Sequence, residues 1–266
     1  MTIGPGMVTT RFLGVAITGG VAPRMRNALG RVEDHLRDEY ARAMLALPAD
    51  APRLTWEQWH GIRQVGGWRE RGGHHTEGIA VDLNVPTNGY AVCATQTARG
   101  IVYGGEAAGS KLPGIRKAFV LACGRACAAA GVLCDLSARR KDESTGSVWD
   151  RWNTVSEAVR AYFAPYYGAK DAIDKGAADV LPGVTVPAQI AADYESIRVP
   201  LVVGSPSLRP ATTRNPARCL MDHPRAVVVA MCDVGGMRWG GSDFGAASSG
   251  DVMHYDLASR IPSGAV

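Results

Sequence analysis

Apolar residues recur every third or fourth position from residue 23 onward: Met25, Leu29, Val32, Leu36, Tyr40, Ala43 and Leu47. That period predicts a long helix with one buried stripe, opened by Pro23 and ended by "LPADAPR". Ahead of it, "RFLGVAIT" (11–18) reads as an early strand. Further on, "GIAVDL" (78–83) changes period. Gly78, Ala80 and Asp82 share one face and Ile79, Val81 and Leu83 the other, which predicts a short strand. "NVPTNGY" after it is turn chemistry.

From about 90 to 225 the pattern is mainly helical. Pro113 opens one helix, with Ile115, Phe119, Ala122 and Ala126 on its apolar face. "RRKDESTGS" is a charged break. Trp152, Val155, Val159, Tyr162 and Phe163 mark a second helix, and Pro187 starts a third that ends near Ile197. "PLVVG" and "AVVVAMCDV" read as strands, "RWGGSDFGAASSG" as a loop and "VMHYDL" as the last strand. The expected class is α+β: a small antiparallel sheet flanked by helices. A single domain spans 1–266, with a large helical insertion over 90–225.

Composition narrows the function classes. The chain has 266 residues, 46% hydrophobic and 20% charged, enough to bury a large core. Its net charge of +4 is mild, and no run of Lys and Arg suits nucleic acid. No apolar stretch approaches a membrane span. The first residues lack a basic segment followed by a long apolar one, so no signal peptide is expected. Synthesis in the cytoplasm follows as an expectation, and any action outside would need release or injection by other means. Cys93, Cys123, Cys127, Cys134, Cys219 and Cys232 match no common zinc spacing and read as buried free thiols.

The chemistry concentrates in "GGHHTEGIAVDLN" (72–84) and "SSGDVMHYDL" (248–257). His75, Asp82 and His254 supply two imidazoles and a carboxylate, a three-ligand set that leaves a fourth position for water. A zinc ion there lowers that water's pKa towards roughly 7. A further acid must carry the proton to a leaving amine, and Asp251, three residues before His254, is placed for it. Positions 251 and 254 of one strand would face opposite ways, so Asp251 is expected in the turn before the strand. His74 is a solvent-exposed or neighbouring residue, or else a ligand in place of His75, and Asp256 either orients a ligand histidine or only ends the strand. Asp243 either caps a turn or approaches the site, and Trp239 and Trp68 either pack or meet substrate. His60 and His223 read as surface or core-edge residues, and His35 as solvated.

"HHTEGIAVDL" resembles the H-x-x-G-x-A-x-D signature of the zinc D-Ala-D-Ala peptidases, whose fold is shared with the hedgehog signalling domain. "DVMHYDL" resembles their second motif, and "WGGSDF" is similar to members that act as cell-wall endopeptidases. The likeness covers roughly 54–90 and 226–258. It departs at Gly73, where the family usually has serine, and in the length between motifs. The resemblance implies zinc on His75, Asp82 and His254, with Asp251 as general base. An upstream arginine steers the substrate carbonyl or stabilises the oxyanion: Arg69 by best match, Arg63 second. It implies a peptidoglycan stem peptide containing D-amino acids as substrate. A cytoplasmic D-Ala-D-Ala dipeptidase and a zinc-stabilised binding module without catalysis are the alternatives. The oligomeric state stays open.

Overall fold

A computed structural model describes residues 3–70, 73–85, 88, 113–168, 179–198, 216–218, 220–244 and 250–258. The chain divides into two compact units. The first comprises Met1–Val85, His223–Trp239 and Met253–Arg260, and the second Pro86–Asp222, Gly240–Val252 and Ile261–Val266.

The first unit holds a six-stranded sheet in the order β1-β2-β3-β4-β6-β5. These strands are β1 (Arg11–Phe12), β2 (Val15–Thr18), β3 (Val65–Gly66), β4 (Ala80–Leu83), β5 (Arg238–Trp239) and β6 (His254–Asp256). The expected antiparallel sheet is corrected to a mixed one, because β2 and β3 run parallel while the other pairs are antiparallel. The cause is the long α1 (Pro23–Ala46) between them, a crossover that returns the chain in the same direction. The single strand expected over 11–18 is a hairpin. Leu13 and Gly14 both take positive φ, 52° and 80°, which reverses the chain in two residues.

Helix α1 buries Met25, Ala28, Leu29, Val32 and Leu36. Its stripe leaves the core beyond Leu36, and Tyr40 instead meets the edges of the Trp56 and Trp59 rings. Those rings belong to α2 (Trp56–His60), a short helix held by a Thr55–Gln58 capping box. "AVVVAMCDV" is helical, not a strand: α6 (Arg225–Val229) runs into a π-helical turn, Ala230–Val234. Val227, Val228, Ala230, Met231 and Cys232 are all buried, so the segment has no polar face to reveal a helical period. Pro224 precedes it and accepts the Val228 N–H through its carbonyl, which starts the helix despite the valines.

The second unit contains α3 (Pro113–Ala129), α4 (Thr145–Phe163) and α5 (Ala188–Arg198). Phe119, Ala122 and Ala126 of α3 are buried, as are Trp152, Val155, Val159 and Phe163 of α4. Ile115 lies where side chains are outside the described residues. Asp193 of α5 is fully buried and takes a forked contact from Arg125 of α3, with further hydrogen bonds from Gln189 and Tyr162. Burial opposes its charge, yet these donors hold its carboxyl below the usual range. The "RRKDESTGS" break is an ion network: Arg151 bridges Asp135 and Glu143.

Cys123, Cys127 and Cys232 are buried free thiols, and Cys134 is a half-buried one. Burial pushes the Cys123 thiol well up, away from reactive thiolate. Cys93, Cys219 and "PLVVG" lie outside the described residues. No helix among the described residues is long and apolar enough to cross a membrane.

Candidate metal centre

Strand pairing carries the two motifs into contact. In the β4–β6 ladder Asp82 stands opposite His254 and Ala80 opposite Asp256. Directly paired residues project from the same face, so Asp82 and His254 meet across 172 residues of chain. On the far side of β6, Arg238 pairs with Asp256. Behind the ladder, Tyr255 donates its hydroxyl to His223 Nδ1 at 2.9 Å, and His223 Nε2 donates to the Leu83 carbonyl at 3.0 Å. This ties the two strands from the opposite face. His223 is 1% and His60 0% exposed, which places both in the core rather than at its edge or at the surface.

His75 arrives from a turn. Gly73–His75 is a short 3-10 segment, closed by hydrogen bonds from the Thr76 N–H to the Gly73 carbonyl and from the Gly78 N–H to the His75 carbonyl. The chain then enters β4. The His75 Nδ1–H donates to the Gly67 carbonyl at 2.7 Å, so its Nε2 lone pair is turned inward.

Three donor atoms converge there. His75 Nε2 lies 3.2 Å from Asp82 Oδ1 and 3.1 Å from His254 Nδ1, and His254 Nδ1 lies 3.0 Å from the same oxygen. A tetrahedral ion with bonds of about 2.0–2.1 Å spaces its ligands by roughly 3.3 Å. His254 turns Nε2 towards Asp256 Oδ2, 3.4 Å away, leaving Nδ1 for the centre. With those outer contacts made, two imidazole lone pairs and a carboxylate oxygen face one another. His75, Asp82 and His254 could hold a metal ion, and all three are buried. Burial alone would raise the Asp82 pKa, but the His254 and His75 imidazoles against its Oδ1 outweigh it and keep the carboxyl far below the usual range. The carboxylate is thus present as the anion a cation needs.

The surrounding residues divide by contact. Arg69 pairs with Asp82 Oδ2, so it holds the ligand carboxylate by its outer oxygen. Asp256 is fully buried and receives Arg238 on both oxygens. Burial opposes its charge too, and His254 and Arg238 overcome that, leaving its pKa well below normal. His74 is not in the donor cluster. Its Nε2 is 4.0 Å from Asp256 Oδ2 and its Nδ1 3.8 Å from Glu77.

Asp251 lies before β6, followed by the turn residues Val252 and Met253, and its N–H donates to the Gly240 carbonyl at 3.0 Å. It belongs to the second unit. In that unit Asp243 takes a forked contact from Arg139, at 2.6 and 3.2 Å. Trp239 is fully buried in β5 and offers no face to a ligand. Trp68 donates its indole N–H to the Thr76 carbonyl, bracing the histidine turn. The Arg63 side chain is exposed, and its backbone N–H donates to Asn84 Oδ1 at 2.7 Å.

Asn84 and Arg238 are the residues that motif reading missed. Asn84 takes φ 47°, a conformation asparagine tolerates, and its side chain ties the end of β4 to the approach to β3. The "LN" ending of the first motif was the available signal. Arg238 had none, because it stands in a stretch that reads as loop.

Gly78 shows why the first motif needs a glycine. Its φ is 66°, and a Cβ there would fall against the Met7 side chain and 2.7 Å from the Ala22 nitrogen. Gly78→Ala is expected to cost about 3 kcal/mol, from left-handed strain plus overpacking. Chemical denaturation of the purified variant measures this; a loss below about 1 kcal/mol would mean that the turn relaxes freely.

Compared with family models, with curated proteins and with solved structures, the chain gives no match.

Proposed function

We propose that this chain is a zinc-dependent peptidase of the D-Ala-D-Ala peptidase type, with the hedgehog-like fold, acting on peptidoglycan stem peptides that contain D-amino acids. One observation carries the reading: two imidazole lone pairs and a buried anionic carboxylate converge at ligand spacing, in the order and on the motifs that the resemblance names. Two nitrogens and one oxygen suit zinc, and three protein ligands suit a catalytic rather than a closed structural site. When bound, the ion would supply a Lewis acid and an acidified water.

The chain's own residues do the rest. His75, Asp82 and His254 hold the ion, with the Gly67 carbonyl and Asp256 fixing the outward nitrogens. Asp251 accepts a proton from the attacking water as the carbon–oxygen bond forms. It then gives that proton to the amine nitrogen as the carbon–nitrogen bond breaks. Arg69 keeps the outer oxygen of Asp82 occupied. A bound ion would supply oxyanion stabilisation as a Lewis acid, and Arg63 is the alternative arginine for that role.

The test is digestion of purified muropeptides, read by mass spectrometry, beside elemental analysis of protein made without a metal-binding tag. One zinc per chain and products heavier by one water at a D-configured bond are expected. Bound zinc with no cleavage of any stem peptide would favour the binding module over the enzyme. Absence of metal from active protein would sink the reading altogether.

A further inference from the structure

We infer that Arg238 is a positioning residue of the metal centre: through Asp256 it sets the orientation of the His254 ring. The inference rests on the metal-binding reading above and adds a residue that neither motif contains.

The geometry is a relay of three side chains within one sheet. Arg238 is 8% exposed, and its Nε and Nη2 each reach one oxygen of Asp256 at 2.8 Å. Two parallel contacts from a planar guanidinium fix the plane of the carboxylate as well as its position. Oδ1 also accepts the Ala258 N–H at 3.0 Å, which leaves Oδ2 to face His254 Nε2 at 3.4 Å. The strands add a second constraint, since Arg238 and Asp256 are direct partners in the β5–β6 register.

An imidazole with one nitrogen tied to a fixed acceptor has its other nitrogen aimed. Here that other nitrogen is Nδ1, the atom within 3.0–3.1 Å of Asp82 and His75. If Arg238 is lost, Asp256 becomes a buried carboxylate with its two strongest contacts gone. Without the fork its plane is no longer fixed, so it shifts and releases His254. His74, at 4.0 Å and 39% exposed on its side chain, is too distant and too wet to replace a forked guanidinium.

The experiment compares wild type, Arg238→Met, Arg238→Lys and Asp256→Asn. Zinc affinity is measured by competition with a chromophoric chelator, and melting temperature is recorded for each. Crystal structures of the metal-free wild type and Arg238→Met report the His254 ring. Arg238→Met is expected to weaken zinc about ten- to a hundredfold, with the ring turned away from its wild-type orientation. Lysine should recover part of the loss, because it restores charge but not the fork. Asp256→Asn, which keeps the shape of the carboxylate, should weaken zinc to a similar degree, and it decides the matter if Arg238→Met does not fold. A lower melting temperature with zinc affinity within about twofold of wild type and an unmoved ring would overturn the inference, since Arg238 would then serve stability alone. If the wild type binds no zinc, the proposed function fails. The ring in metal-free Arg238→Met still decides the positioning role: turned, it stands; unmoved, it falls.

Discussion

His254→Ala is expected to lose the metal and, with it, all measurable peptide cleavage. The centre has three protein donors, and a two-donor remnant of His75 and Asp82 cannot close a site around an ion. Loss of turnover should exceed that from any change that leaves the ion in place. The same variant carries a stability signature. An ion that binds only the folded chain stabilises it by about 2.7 kcal/mol at a hundredfold excess over its dissociation constant. The wild type should therefore melt higher when zinc is added, and His254→Ala should not respond. Elemental analysis and melting curves with and without zinc measure both effects. Substoichiometric metal that persists unchanged in His254→Ala would remove the three residues from consideration as a centre.

Asp251→Asn is expected to keep the metal and lose turnover by about a hundredfold to ten-thousandfold. An amide has nearly the shape of the carboxylate but cannot accept the water's proton. The expectation comes from the motif, in which an acid precedes the histidine of the last strand, and from the position of Asp251 ahead of β6. Steady-state rates on a defined muropeptide, with zinc content checked in the same preparation, give the answer. Wild-type rates would pass the role to another acid. Asp256 is poorly suited to take it, because Arg238 and His254 already hold both its oxygens and keep it ionised at 0% exposure.

Some of this protein could be read in one dimension. The α1 stripe was visible because one helical face meets the core and the other meets water, so the period of burial is the period of the residues. The β4 alternation was visible for the same reason. The candidate metal ligands were legible because histidine and aspartate at that spacing, with a glycine three residues after the first histidine, offer donor atoms in a turn and a strand. Gly78 confirms the local logic, since its φ of 66° and the close approach of Ala22 admit no side chain.

Other features had no local signal. "AVVVAMCDV" is apolar at every position but Asp233, and so unbroken an apolar run has no period from which to tell helix from strand. The hairpin within 11–18 turned on two positive φ angles, one of them at a leucine, which propensity does not foresee. His60 and His223 read as surface or core-edge residues; the burial of His223 rests on the distant Tyr255 and Leu83, while His60 accepts only the Ile62 N–H two residues on.

What the sequence alone determined, then, is the local chemistry: which residues could bind a cation, the amphipathic α1 and the strand that carries Asp82. Tertiary structure decided the rest. The β4–β6 register sets Asp82 opposite His254, the Gly67 carbonyl selects the nitrogen of His75 that faces inward, and Arg238 meets Asp256 across β5 and β6. These are contacts between segments far apart in the chain. Their partners are chosen by strand pairing and burial, and no short window of sequence contains both sides of such a choice.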